Sequence, residues 1–148
     1  MAKLIFNIMA ICGAAAFSGV MLSVGITLGG YWKSLSETDF LNWFANNNQF
    51  VAQSIPAVFL LAFIGLAGSI WYSWGTPSFI YWLAAGICIL AVTGLTIGYF
   101  VPTNTAFASK AIEVSQVTAK LNQWITIHYF RIALAMIAAI LGCIAIKI

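Results

Sequence analysis

The sequence predicts an all-α membrane protein, a single domain over residues 1–148 built as a four-transmembrane-helix bundle with a short interfacial helix in the first loop. Three observations predict it. Of the 148 residues, 63% are hydrophobic and only 6% charged, whereas soluble domains carry roughly 25% charged residues. Four apolar runs, at residues 4–30, 50–74, 79–101 and 124–146, each hold at most one charge and reach the roughly 20 residues that a helix needs to cross about 30 Å of hydrocarbon. Polar connections separate them. Unpaired backbone groups are not tolerated in lipid, so the runs must be helical, and they are too long for barrel strands of about ten residues.

The first run follows Met-Ala-Lys and imitates a secretory signal, yet it continues to about Leu28 without a clean small-residue cleavage site, so it reads as a retained helix. Residues 31–49 form a polar first loop. Within it, Ser36-Glu37-Thr38-Asp39 followed by Phe40-Leu41-Asn42-Trp43-Phe44 spells a capped amphipathic helix, placed to lie at the interface as a lid. The Asn46-Asn47-Asn48-Gln49 run precedes the second span. A Gly75-Thr76-Pro77-Ser78 turn joins the second and third spans. Pro102 is expected to stop the third helix and turn Asn104 back towards the bundle. Residues 102–123 make a long polar connection. Because 106–120 contain good helix formers and no Pro or Gly, the last helix is expected to start well before the membrane, unless Thr118 or Asn122 begins it.

Four spans put the first and third connections on one face, with the tight turn and both termini on the other. Basic residues divide almost evenly, Lys3 and Lys147 on the termini face against Lys33, Lys110 and Lys120 on the loop face. The orientation adopted is a bacterial inner membrane with cytoplasmic termini. Tyr31, Trp32, Trp43, Trp71, Tyr72, Trp74, Tyr81, Trp82, Tyr99 and Trp124 fall near span ends, where interfacial anchoring is expected. Gly13, Ala16, Ser18, Gly19, Ser23 and Gly25 on the first helix, and Gly86, Gly94 and Gly98 on the third, permit close helix contact for folding or dimerisation. Cys12, Cys88 and Cys143 lie singly in apolar runs and read as small buried hydrophobes rather than redox thiols.

Six basic and three acidic residues, widely scattered, make no patch for nucleic acid. The remaining partners are membrane lipids, a lipophilic aromatic small molecule, and a second copy or a larger membrane complex. Chemistry concentrates on the last run, where Trp124, His128 and Arg131, at spacings of four and three, project from one face. An arginine at the centre of a spanning helix costs roughly 2.5 to 3.5 kcal/mol on insertion scales. It either snorkels to the interface or faces a polar pocket. Antiparallel packing of the last two helices would bring Asn104 to the depth of Trp124 and His128, gathering an amide, an imidazole, a guanidinium and an indole at a cavity opening towards the loops.

Val101-Pro102-Thr103-Asn104 after the third helix, Trp-x-x-x-His-x-x-Arg opening the fourth, and Phe17-Ser18-Gly19-Val20 on the first resemble the anthrone oxygenase family of membrane proteins, also known as DUF1772. The resemblance extends over nearly the whole chain. It implies oxidation of a phenolic anthrone by dioxygen with no cofactor, and it maps the family's residues onto Asn104, Trp124, His128 and Arg131. In that chemistry His128 would remove the acidic proton, Arg131 and Asn104 would stabilise the enolate oxygen, and Trp124 would bind the substrate by stacking on its flat ring. No metal is expected, since one histidine and three loop acids, Glu37, Asp39 and Glu113, fall short of a two-His-one-carboxylate set. A haem would have to use His128 alone or with a methionine such as Met21. The same pocket would also suit a non-catalytic quinone- or lipid-binding protein, or an accessory subunit of a larger membrane complex.

Overall fold

The computed structural model describes every residue except Ala52 and Ser54, and the described residues form five helices. Helix α1 (Ala2–Lys33) contains a π-turn at Val24–Leu28. The interfacial helix is α2 (Glu37–Val51). Then come α3 (Ile55–Ser73), α4 (Phe79–Ala108) with a π-turn at Thr96–Phe100, and α5 (Val114–Ala145). Helices α1, α3, α4 and α5 are long and apolar enough to span a bilayer. The protein is an integral membrane helical bundle.

The four spans form a ring in which α1 packs on α3 and α5, while α4 packs on α5 and, less extensively, on α3. Small residues make the α1–α3 contact possible: a Cβ on Gly13 would overlap the Ala62 backbone, and one on Gly65 the Ala10 backbone. Gly19, Gly94 and Gly98 are different: among the described residues no atom of another element lies near the place a Cβ would take. Ser18 Oγ donates to the Ile132 carbonyl across the bundle, at 3.2 Å. This half of the core is rich in alanine. At the loop end a second cluster is aromatic, built from Trp32, Phe40, Phe44, Phe107 and Trp124, with neighbouring ring centroids 4.9 to 5.9 Å apart.

Helix α2 belongs to that aromatic end. Ser36 caps it as the sequence indicates: its Oγ accepts the Asp39 N–H at 3.2 Å and donates to the Asp39 carboxylate at 2.6 Å. Thr118 donates to Glu37 Oε1 at 2.8 Å and Lys110 Nζ to Asn42 Oδ1 at 2.6 Å, tying α2 to α5 and to the end of α4. The helix is longer than the sequence suggests and takes in Asn46, Asn47, Asn48 and Gln49. Glu37 is fully exposed, and its carboxyl is held below the usual range first by a backbone hydrogen bond and then by Thr118.

Three expectations need correction. Pro102 does not stop the third helix, which runs on to Ala108. A proline ring clashes with the carbonyl four residues earlier, here that of Gly98, and the π-turn at Thr96–Phe100 widens the helix at that point. Residues 106–120 are not one helix either. The Ala111 N–H reaches the Ala106 carbonyl and the Lys110 N–H that of Phe107, with Lys110 at φ +55°, a Schellman ending that uses lysine where glycine is usual. So α5 begins at Val114, not at Thr118 or Asn122. Finally, Trp32 and Trp82 are buried core residues rather than interfacial anchors, Trp124 is buried as its pocket role and not its anchor role requires, and Cys12 and Cys143 lie exposed on the outer surface. Trp71 and Trp74, 75% and 76% exposed, do sit where anchors are expected.

Candidate functional site

The site lies between the two core clusters, at the depth where both π-turns occur. An α5 of 32 residues rises about 48 Å, about 18 Å more than the hydrocarbon core. Trp71 and Trp74 mark the boundary at the tight turn, so the surplus projects on the loop face. The opposite boundary then falls level with Trp124 and His128. Arg131, one turn deeper, is 5% exposed and His128 1%. Arg131 therefore does not snorkel.

Each polar atom can be followed. Trp124 Nε1 donates to Asn104 Oδ1 at 2.8 Å, which joins α5 to the extended end of α4. The Trp124 ring stacks on His128 with centroids 4.7 Å apart and planes 15° from parallel. Arg131 Nη1 donates to Thr96 Oγ1 at 3.0 Å, and its guanidinium carbon lies 3.4 Å from the centre of the Phe100 ring. His128 Nε2 is 2.7 Å from the Met21 backbone oxygen, and Arg131 Nη2 is 2.8 Å from His128 Nδ1. A carbonyl only accepts and a guanidinium only donates. The imidazole therefore carries its proton on Nε2, leaves Nδ1 as acceptor, and is neutral.

The His128–Met21 contact depends on Gly25. A Cβ there would lie 3.1 Å from His128 Cδ2 and 3.5 Å from Nε2, so any larger residue would press on the ring and glycine leaves it its place beside α1. Arg131, in turn, has no acid beside it. The three acids of the chain, Glu37, Asp39 and Glu113, are all exposed on the loop side. Among the described residues its Nε–H finds no acceptor at all. A buried charge in low dielectric ordinarily has a counter-charge, and here the partners are a hydroxyl, an imidazole and an aromatic face.

Phe17, Met21, Thr96, Phe100, Asn104, Trp124, His128 and Arg131 line one cavity of about 170 Å³. That is close to the roughly 150 Å³ apolar cavity that takes up benzene and below the roughly 300 Å³ at which drug-sized pockets begin. It has room for one aromatic ring. The sequence motifs supplied Asn104, Trp124, His128 and Arg131, and the structure brings all four together. It adds Thr96, Phe100, Gly25 and the Met21 carbonyl. Thr96, Phe100 and Asn104 are spaced by four along α4, the one sequence signal that would have pointed to the first two. Met21 presents its backbone oxygen to His128.

The anthrone oxygenase family model matches residues 40–141. The chain belongs to the anthrone oxygenase family. No curated protein and no solved structure matches it. The matched region holds the α4 and α5 walls of the cavity, while Phe17, Met21 and Gly25 on α1 lie outside it. Among the described residues no three of His, Cys, Asp and Glu are grouped as metal ligands would be.

Proposed function

We propose that this chain is an oxygenase of a lipophilic phenolic or quinol-like compound, working without a bound cofactor and using the ionised substrate itself to reduce dioxygen. The observation that carries the proposal is the buried Arg131 guanidinium with no acid partner, bonded to the acceptor nitrogen of a neutral imidazole. A substrate oxygen entering beside Arg131 competes for the Nη2–H donated to His128. Once that donor turns to the substrate, Nδ1 is free to take the acidic proton. The Nε2–H to Met21 bond survives protonation because Nε2 donates in both states, so it orients the ring throughout. The imidazolium is then stacked on Trp124, and the new oxyanion rests on Arg131 in a site of low dielectric.

The electron-rich carbanion passes one electron to dioxygen, the radical pair combines to a peroxide anion, and that anion takes the proton back from the His128 imidazolium to give a hydroperoxide. Loss of water, with the second proton of the same carbon, leaves a carbonyl. A methylene and one O₂ thus become a carbonyl and one H₂O, and electrons balance without a further reductant. An anthrone, named by the family, has this acidic methylene. The same proposal sets both termini in the cytoplasm of a bacterial inner membrane, the lysines dividing almost evenly between the two faces.

Oxygen uptake by purified protein in detergent, with an anthrone and a series of phenols, tests the reading. Uptake should occur with a visible spectrum free of haem or flavin bands, and should vanish in His128→Ala and Arg131→Ala. The occupied state of both His128 nitrogens also favours a second reading, in which the cavity only binds a quinone or lipid head group for a larger membrane complex. Absence of uptake across the series, with a larger membrane protein retained through purification, favours that one.

A further inference from the structure

We propose that the cavity is loaded sideways from the bilayer, through a portal between the start of α3 and the end of α4 framed by Pro56 and Val101, and not from the aqueous loop face. Both residues line the cavity and both are exposed on the outside of the bundle, Val101 by 55%. Their depth is that of the hydrocarbon boundary derived above. The α3–α4 side is the least extensively packed of the four sides of the ring. A lipid-facing groove of about 190 Å³ between Phe63, Ile70 and Leu90 follows the same seam deeper into the membrane.

The aqueous route is blocked by an independent feature. Trp32, Phe40, Phe44 and Phe107 are each at most 1% exposed and close over Trp124 beneath α2. Among the described residues this layer closes the side of Trp124 beneath α2, where the polar residues alone suggested an opening towards the loops. A ligand from water would have to part that aromatic layer, whereas one dissolved in lipid meets, among the described residues, an apolar rim at Pro56 and Val101. The cavity holds about one ring, so the ligand class is an aromatic head bearing an ionisable oxygen, with the rest of the molecule, further rings or an alkyl chain, left in the seam. The ligand's ionisable oxygen rests on the oxygenase reading, but the portal does not.

The test uses thiol accessibility in vesicles and needs no turnover. Val24 lines the cavity from α1. Val24→Cys is placed in a background with Cys12, Cys88 and Cys143 changed to Ser, and is offered a neutral lipid-soluble methanethiosulfonate or a charged sulfonate analogue. The neutral reagent should modify it and the charged one should not. Adding Val101→Trp, or independently Pro56→Trp on the opposite rim, should slow the neutral reaction about tenfold, about 1.4 kcal/mol of added barrier, while Trp43→Ala on the aqueous side leaves it unchanged. Equal rates for both reagents, acceleration by Trp43→Ala, indifference to both rim substitutions, or no modification by either reagent would each overturn the portal. Oxygen uptake is measured separately, so a chain with a working portal and no oxygenase activity is recognised as such.

Discussion

Gly25→Ala is the smallest change that reaches the site through the backbone of a helix that makes no other hydrogen bond to it. The added methyl would lie 3.1 Å from His128 Cδ2, a few tenths of an ångström inside ordinary contact. The ring cannot slide towards Trp124, which stacks on one of its faces with centroids 4.7 Å apart. It must retreat from α1, and a 0.4 Å retreat would stretch the bond to Met21, now 2.7 Å, to about 3.1 Å, near the limit for N–H···O. A bond stretched but still formed loses only part of its net worth of about 1 kcal/mol, so the larger cost is overpacking, about 1 to 3 kcal/mol. Gly19→Ala on the same helix is the control. Among the described residues no atom beyond its own helix lies within 4 Å of its added methyl, so the gain in helix propensity of about 0.5 to 1 kcal/mol should appear unopposed. Thermal unfolding in detergent should therefore move in opposite directions for the two variants. The ¹⁵N shifts of His128 should change only in Gly25→Ala. If Gly25→Ala were as stable as the parent protein with its imidazole shifts intact, the glycine-dependent His128–Met21 contact would be wrong.

Other changes probe separate links. Asn104→Leu leaves the Trp124 indole N–H buried without its acceptor, which should cost about 1 to 3 kcal/mol in thermal unfolding and weaken ligand binding, while Asn104→Asp, which keeps an acceptor, should recover part of the loss. Gly65→Val meets the Ala10 backbone, which no rotamer can avoid, and should prevent recovery of folded protein from detergent, whereas Gly98→Ala should be recovered normally. The Glu37 carboxyl is lowered in the folded state, so the stability it adds to α2 is present above the ordinary glutamate value of about 4.3 and is lost as pH falls through the folded value. Amide protection factors across residues 37–44, taken relative to the intrinsic exchange rate at each pH, should fall at acid pH, and Thr118→Val should remove part of that dependence; an unchanged profile would show that the Thr118 bond is not what holds α2 down.

The spans were legible because twenty apolar residues have few other uses, and Trp124, His128 and Arg131 were legible as one face because helical spacing is rigid. Asn104 could be brought to them from topology alone. The rest escaped for identifiable reasons. A π-turn has no side-chain signature, so the passage of α4 through Pro102 was hidden. The break at Lys110 uses a residue with no turn preference. Trp32 and Trp124 look like membrane anchors until α2 is folded over them, because burial by an interfacial helix is a tertiary fact. The Met21 carbonyl belongs to the backbone, and a sequence cannot display it.

The account turns on Arg131 receiving an oxyanion. The most direct measurement is the ultraviolet difference spectrum of 2-naphthol, neutral in water at pH 7, added to the purified protein and to its Arg131→Lys and Arg131→Met variants. The naphtholate band should appear on binding to the parent protein, at reduced amplitude with lysine, and not at all with methionine. Naphthol bound in its neutral form, or a naphtholate band that survives Arg131→Met, would contradict it.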